Sequence, residues 1–436
     1  MIGLTGIGIG FLFMLALMLT GLHVATTLFA TAAVGSWWYF GTSMFQPFGT
    51  MMWGTLNNFI LVAIPLYILM GEIMVRGGVT ERMYMALADW LTPLPGGLLH
   101  TNIAASTLFA SISGSSVATA ATIGTVALPA FRKRGYDERW VLGTVASGAT
   151  LGILIPPSIN MIIYGAITSS SIGALFAAGI VPGLLLAAMF SGLVIVAALL
   201  RPGIAGGEDV RAPLAERLAR LRDLLPPLAL FLVVMGSIYG GWATPTEAAA
   251  VGVIGAVALV GAQGRLNLTV LRQALVTTSS VSAMMLLILI GAFYLNFIIG
   301  VLGIPGMVSA FISGFDVAPW QMILLLTVLY LILGCFMDSL AMMIATIPVV
   351  FPVVTGMGYD PVWFGIYLVI MCELALITPP VGMNLYVVQG VRGRGTIVDV
   401  IAGTSPFLIC IFALTGLITA FPQIVLWLPE MQAAAR

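Results

Sequence analysis

The chain has 436 residues, 60% hydrophobic and only 7% charged, with zero formal net charge and a mean hydropathy of +1.13. Soluble domains carry about one-quarter charged residues, so a soluble globular protein is excluded, and the absence of a basic excess argues against nucleic acid as a partner. At about 20 apolar residues per crossing, this length allows about ten to twelve passes through a bilayer and no sizeable aqueous domain.

The N-terminal stretch MIGLTGIGIGFLFMLALMLTGL lacks the basic start of a signal peptide and reads as a retained first helix. Its GIGIG run (6–10) suits close helix contact. Spans are expected at about 3–21, 24–42 and 55–75. Short cytoplasmic loops collect basic residues, and here they cluster at Arg76–Arg82, in RKRGYDER (132–139) with Lys133, at Arg201–Arg222, Arg265–Arg272 and Arg392–Arg394. No basic residue lies between Arg272 and Arg392, so loops around Asp316 and Asp360 read as external.

Residues 98–131, LLHTNIAASTLFASISGSSVATAATIGTVALPAF, have basic sequence at both ends. One crossing cannot begin and end on the same side, and the Ser/Gly turn SISGSS (111–116) divides the stretch into two half-length helices, a re-entrant hairpin. Spans follow at 138–170, 174–200, 223–243, 246–262 and 275–302, with a polar amphipathic linker at 201–222. Residues 320–354 have non-basic loops on both sides and read as a second hairpin entering from outside, turning near GCFMDS (334–339). Spans at 361–391 and 402–428 complete the chain, and both termini fall outside, with Arg436 the one basic residue there. The expected division is scaffold helices over 1–97, a first hairpin and broken helix over 98–170, scaffold over 171–319, a second hairpin and broken helix over 320–391, and a C-terminal helix over 392–436.

The two hairpin units match at a constant spacing of 223 residues without gaps. Ser116 pairs with Ser339, Pro129 with Pro352, GYD at 135–137 with GYD at 358–360, Trp140 with Trp363, and Pro156–Pro157 with Pro379–Pro380. One GYD sits among arginines and the other does not, so the repeats are inverted. Inverted repeats with broken helices are the architecture of secondary transporters, with sites at the repeat interface near mid-membrane.

Paired prolines remove backbone donors and stop a helix from closing. The freed carbonyls, with hydroxyls, suit a hard cation such as sodium. Two breaks give two candidate cation sites: Ser113, Gly114, Ser115, Ser116, Ile155, Pro156 and Asn160 in the first half, and Gly334, Asp338, Ser339, Thr378, Pro379 and Asn384 in the second. Half-helix N-termini at the same places suit an anionic substrate. Ser115 is replaced by Asp338 and Thr150 by Glu373 across the repeat, and Asn160 and Asn384 are one position out of register. An intramembrane acid is a functional candidate by default; Glu72 and Glu373 are weaker candidates than Asp338. Glu247 suits a capping box with Thr244, while His23, His100 and the three cysteines read as packing residues. HExxH, G-x-S-x-G and GxGD motifs are absent from the sequence, which argues against an enzyme.

The segments SISGSSVATAATIGTVALPAF (111–131), RGYD (134–137), GATLGILIPPSINMIIYG (148–165), GCFMDSLAMMIATIPVVFPV (334–353) and CELALITPPVGMNLYVVQG (372–390) resemble the large permease subunit of tripartite ATP-independent periplasmic (TRAP) transporters. The resemblance implies an all-α polytopic fold in the bacterial inner membrane, with periplasmic termini and an elevator mechanism in which hairpins and broken helices slide past a scaffold. It implies sodium-coupled import of small organic acids such as C4-dicarboxylates, sugar acids or sialic acid, with no other cofactor. It places the substrate between the hairpin tips, making Ser115, Ser116, Thr119, Asn160, Asp338, Ser339 and Asn384 candidates to bind it. It implies two partners, a small four-helix membrane subunit and a periplasmic substrate-binding protein, and the start at Met1 suits an unfused form. A stand-alone sodium- or proton-coupled dicarboxylate symporter is the alternative reading.

Overall fold

The computed structural model describes residues 3–132, 134–206, 213–315 and 317–434. Lys133, Asp316, Arg436 and the middle of the linker, 207–212, lie outside the described residues. All regular structure among the described residues is helical. The N-terminal segment comprises α1 (Leu4–Leu19), α2 (Val24–Phe40), α3 (Gln46–Leu56), α4 (Ala63–Arg76) and α5 (Val79–Leu91). The first hairpin is α6 (Leu98–Ser113) with α7 (Ser116–Arg132), and the first broken helix is α8 (Glu138–Leu154) with α9 (Ile159–Thr168). Then come α10 (Ile172–Leu200), α11 (Leu214–Leu221), α12 (Leu225–Tyr239), α13 (Pro245–Ala262), α14 (Leu268–Val301) and α15 (Ile304–Ser313). The second hairpin is α16 (Pro319–Gly334) with α17 (Ser339–Gly356), and the second broken helix is α18 (Pro361–Ile377) with α19 (Met383–Arg392). The chain closes with α20 (Ile397–Ala420) and α21 (Gln423–Ala434).

Eight helical stretches are long and apolar enough to cross a membrane, from Phe59–Arg76 to Ile397–Ala420. The longest, α14, has 34 residues, about 51 Å at 1.5 Å each, and begins earlier than expected because Asn267 caps it by accepting from the Val270 amide at 2.8 Å. The span expected at 402–428 is two helices: α20 ends before Pro422, whose ring excludes helical geometry at Phe421, and α21 turns back onto α10. The linker helix α11 buries none of its residues; it is tied to α5 by the Arg220–Asp89 ion pair at 2.9 Å.

The repeated GYD acquires a reason. Gly135 and Gly358 take left-handed φ of 70° and 94°, which a turn requires and glycine permits. The aspartate that follows caps the next helix: Asp137 Oδ1 accepts from the Arg139 amide at 2.9 Å, and Asp360 Oδ1 from the Val362 and Trp363 amides at 2.7 and 3.1 Å. The paired tryptophans both anchor to α20, Trp140 edge-on to Phe407 and Trp363 by donating Nε1–H to the Ile418 carbonyl at 3.0 Å.

The register of the repeat holds only in part. From α7 through α8 and from α17 through α18 the 223-residue spacing is kept, so Leu154 and Ile377 end equivalent helices. The hairpin turns differ, however: Gly114–Ser115 is two residues and Cys335–Asp338 is four, so Ser113 corresponds to Gly334 rather than to Phe336. The breaks differ too, four residues (155–158) against five (378–382). The extra residue shifts the Asn: Asn160 and Asn384 are each the second residue of the second half-helix and are structural equivalents.

Two groups of helices emerge from packing. One joins α2, α3, α4, α12, α13 and α14; the other joins α6 to α9, α16 to α19 and α20. The helix α10 packs on α6, α8, α18 and α20, so it lies with the second group although it falls in the stretch expected as scaffold. At the basic end of the second group Arg392, only 5% exposed, pairs with Glu138 at 2.8 Å and Asp399 at 3.1 Å, joining α19 to α8 and α20. In the Gly-rich run of α1, a Cβ on Gly8 or Gly10 would meet nothing within 4 Å, so these two glycines make no close helix contact among the described residues; Gly10 faces an apolar cavity shared with α14 and α17.

Candidate functional site

Each hairpin tip is seated on the break of its own repeat. A Cβ on Gly114, whose φ is +59°, would lie 2.6 Å from the Pro157 carbonyl oxygen, so only glycine lets the first tip approach this closely. At the second tip, Cys335 Sγ–H donates to the Pro379 carbonyl at 3.2 Å. Both Pro–Pro bonds are cis. The first break is closed by Ser158, whose hydroxyl donates to the Ile153 carbonyl at 2.5 Å and accepts from the Met161 amide at 3.5 Å.

The tips cap their second helices in matching ways. Ser115 Oγ accepts from the Ala118 amide at 3.4 Å, and Asp338 Oδ1 accepts from the Ala341 amide at 3.0 Å. Asp338 is thus an N-cap that uses one carboxylate oxygen on its helix. Hydroxyls converge at the first tip: Ser113 Oγ lies 3.1 Å from Thr119 Oγ1, and Thr119 donates to the Ser115 carbonyl at 2.7 Å. The two repeats are joined across the centre by Asn384, whose Nδ2 donates to Ser116 Oγ at 2.7 Å and to the Ala146 carbonyl at 3.2 Å.

Between the tips and the helices α4 and α14 lies a cavity of about 340 Å³. Of the residues singled out by sequence, Ser113, Gly114, Ser115, Ser116, Asn160, Asp338 and Ser339 line it together. Thr119 and Asn384 sit behind this wall and brace it, while Ile155, Pro156, Gly334, Thr378 and Pro379 build the breaks and the tip base without lining the cavity. Among the described residues, Asn160 Nδ2 and Asn384 Oδ1 are buried without a hydrogen-bond partner. Such atoms cost about 1–3 kcal/mol unless a ligand or water meets them, so both equivalent asparagines present an unused polar atom. Glu373, fully buried in α18, has no partner for either carboxylate oxygen among the described residues and does not line the cavity.

The side of the cavity facing the tips is formed by Gly71 and Glu72 of α4 and by Val281, Met284 and Met285 of α14. Gly71 is a close approach: its Cβ would lie 3.0 Å from Ser113 Cα, so the first tip rests directly on α4. The α14 residues carry no signal in the sequence, because an apolar side chain facing a cavity and one facing lipid look alike. His100 and Glu247 have the structural roles expected of them. His100 Nε2 bonds the Pro95 carbonyl at 2.8 Å, and Glu247 closes a capping box with Thr244.

Two inverted units, each a re-entrant hairpin on a broken helix, meeting at a cavity into which both tips bring polar side chains, define a secondary-transporter permease fold. Residues 11–424 match the model of the family described as "Tripartite ATP-independent periplasmic transporter, DctM component". The chain belongs to that family, as a TRAP transporter large permease subunit. It is 34% identical to the C4-dicarboxylate large permease DctM of Pseudomonas aeruginosa, over 86% of this chain and 87% of that one. It is 32% identical to the sialic acid large permease SiaM of Vibrio cholerae, over 87% and 88% of the two chains. It is 31% identical to the ectoine/5-hydroxyectoine large permease UehC of Ruegeria pomeroyi, over 97% and 98%. Among solved structures the fold is similar to the YdaH transporter of Alcanivorax borkumensis, with a TM-score of 0.64 at 16% identity, covering 95% of this chain and 99% of that one.

Proposed function

We propose that this permease carries out sodium-coupled import of small organic acids across the bacterial inner membrane, receiving them from a periplasmic binding protein and working with a small membrane subunit. The observation that carries the reading is the cavity itself: two inverted tips present hydroxyls and a carboxylate, and Asn160 an unpartnered amide nitrogen, to one space beside two helix breaks. Broken helices offer carbonyl oxygens to cations and half-helix N-termini to anions. The first ion site comprises Ser113, Gly114, Ser115, Ser116 and the backbone at Ile155–Pro156 with Asn160. The second comprises Gly334, Asp338, Ser339 and the backbone at Thr378–Pro379 with Asn384. The acid lies between the tips, near Ser115, Ser116, Asn160, Asp338 and Ser339, with Thr119 and Asn384 shaping the wall.

Transport proceeds by sliding of the hairpin group against α4 and α14, where Gly71 leaves a smooth bearing, and both chain termini are periplasmic. The substrates named for relatives, C4-dicarboxylates, sialic acid and ectoine, all bear a carboxylate and set the class to be tested. The test is uptake by the permease reconstituted with the small subunit and the binding protein. Uptake that requires an inward sodium gradient and the binding protein is the expected result. Uptake that proceeds equally without the binding protein points to the stand-alone symporter reading, and uptake indifferent to sodium overturns the coupling.

A further inference from the structure

Along α4, Ile68, Glu72 and Arg76 fall on one stripe at four-residue spacing. Ile68 and Glu72 line the cavity, as does Val75, and Arg76 stands one turn beyond Glu72 at the end of that stripe. Its Nε donates to Glu72 Oε2 at 2.9 Å, Nη1 to Gln273 Oε1 at 3.0 Å and Nη2 to Thr277 Oγ1 at 2.9 Å, which ties α4 to α14. A guanidinium has five N–H donors. Three are engaged among the described residues, which leaves two on a side chain that is 29% exposed. Thr277 and Gln273 lie one and two turns before Val281, a cavity residue, so Arg76 sits where the cavity runs out toward the basic ends of α4 and α14.

The cavity lining holds two carboxylates, Glu72 and Asp338, and among the described residues no cationic side chain. An organic anion held between the tips therefore finds its positive counterpart in bound cations and helix N-termini. On leaving along α4 it parts from those and meets a guanidinium.

We propose that Arg76 is the exit-side binding residue for the carboxylate of the transported acid, exchanging Glu72 for the substrate as the acid is released to the cytoplasm. The proposal rests on the carboxylate-import reading above. Glu72 is the positioning residue: it holds the guanidinium in place and competes for it, so the acid is received in fork geometry and then displaced. Gln273 and Thr277 tie α14 to α4 through Arg76 and take no part in receiving the acid.

The test uses the permease reconstituted with its small subunit and binding protein, with succinate, N-acetylneuraminate and ectoine as probes. Arg76→Gln is expected to lower the maximal uptake rate of whichever probe the wild type carries by about tenfold, with sodium-induced thermal stabilisation unchanged. Arg76→Lys, which keeps the charge but not the fork and guards against misfolding of the Gln variant, should fall between the two, about three- to fivefold below wild type. Gln273→Ala combined with Thr277→Val removes the staple and leaves the guanidinium, and uptake should stay within about twofold of wild type. Wild-type uptake by Arg76→Gln overturns the proposal. A loss in the Gln273/Thr277 double variant equal to that in Arg76→Gln also overturns it, because Arg76 is then only a staple. A wild type that carries none of the three probes overturns the import reading itself, and the proposal with it, an outcome visible before any variant is made.

Discussion

The first hairpin turns on Gly114–Ser115, whereas the second takes four residues, Cys335–Asp338, to make the same reversal. Both turns end on an N-cap, but the first cap is a hydroxyl and the second a carboxylate. The first tip meets its break at the backbone of Gly114, against the Pro157 carbonyl, and the second through a thiol, Cys335 to the Pro379 carbonyl. One chain plan thus yields a compact neutral oxygen cluster on one side of the cavity and a charged one on the other. A charged ligand raises cation affinity and makes it more sensitive to loss than hydroxyls do, so the two halves of the site should respond unequally to matched substitutions.

The largest expected effect is at the charged tip. Hydrogen bonds and contacts to a charged group contribute about 1.5–3 kcal/mol, so Asp338→Asn, which keeps the cap, should raise the half-saturating sodium concentration for uptake about 10- to 100-fold. An unchanged sodium midpoint would reduce Asp338 to a helix cap. Next is the close approach at the neutral tip. Gly114→Ala forces a side chain into left-handed geometry against backbone and should cost about 1–3 kcal/mol, lowering the unfolding temperature in detergent by several degrees. Gly236→Ala, where a Cβ meets nothing within 4 Å, is the control and should leave it in place.

A third substitution pair separates the equivalent asparagines. Asn384→Ala removes hydrogen bonds to Ser116 and the Ala146 carbonyl and should destabilise by about 1–2 kcal/mol. Asn160→Ala removes a side chain whose Nδ2 has no partner and should cost less; thermal unfolding of both variants decides whether the bridge between the repeats is one-sided. The smallest effect is at the neutral cap. Ser115→Ala should cost about 0.5–1 kcal/mol in stability and shift the sodium midpoint less than Asp338→Asn does.

Much of this was legible in the sequence where one residue type has one structural meaning. Gly-Tyr-Asp marks a left-handed turn followed by a cap, Pro-Pro marks a helix that cannot close, and both recur with their roles intact at 135–137, 156–157, 358–360 and 379–380. The resemblance carried by the hairpin and break segments pointed to the family to which the chain belongs. The unequal turns were not legible, because they lie at the two ends of the stretch that keeps the 223-residue spacing, where a gapless comparison only runs out of identities. The Asn offset was the visible trace of one insertion, and only the end points of α9 and α19 turn it from a mismatch into an equivalence. The α14 wall was hidden for another reason. In a bilayer a Met facing a cavity and a Met facing lipid satisfy the same apolar pattern, so Met284 and Met285 stand out only once α14 is placed against the tips.

The central claim is that the tips and breaks bind sodium in the native fold, and a native-state ligand raises stability by mass action. The most direct measurement is the thermal unfolding midpoint of the detergent-solubilised permease in sodium chloride against potassium chloride at equal ionic strength, for wild type and Asp338→Asn. The account predicts a midpoint that rises with sodium and not with potassium, and a smaller rise in the variant. Equal midpoints in the two salts, or a rise untouched by Asp338→Asn, would contradict it.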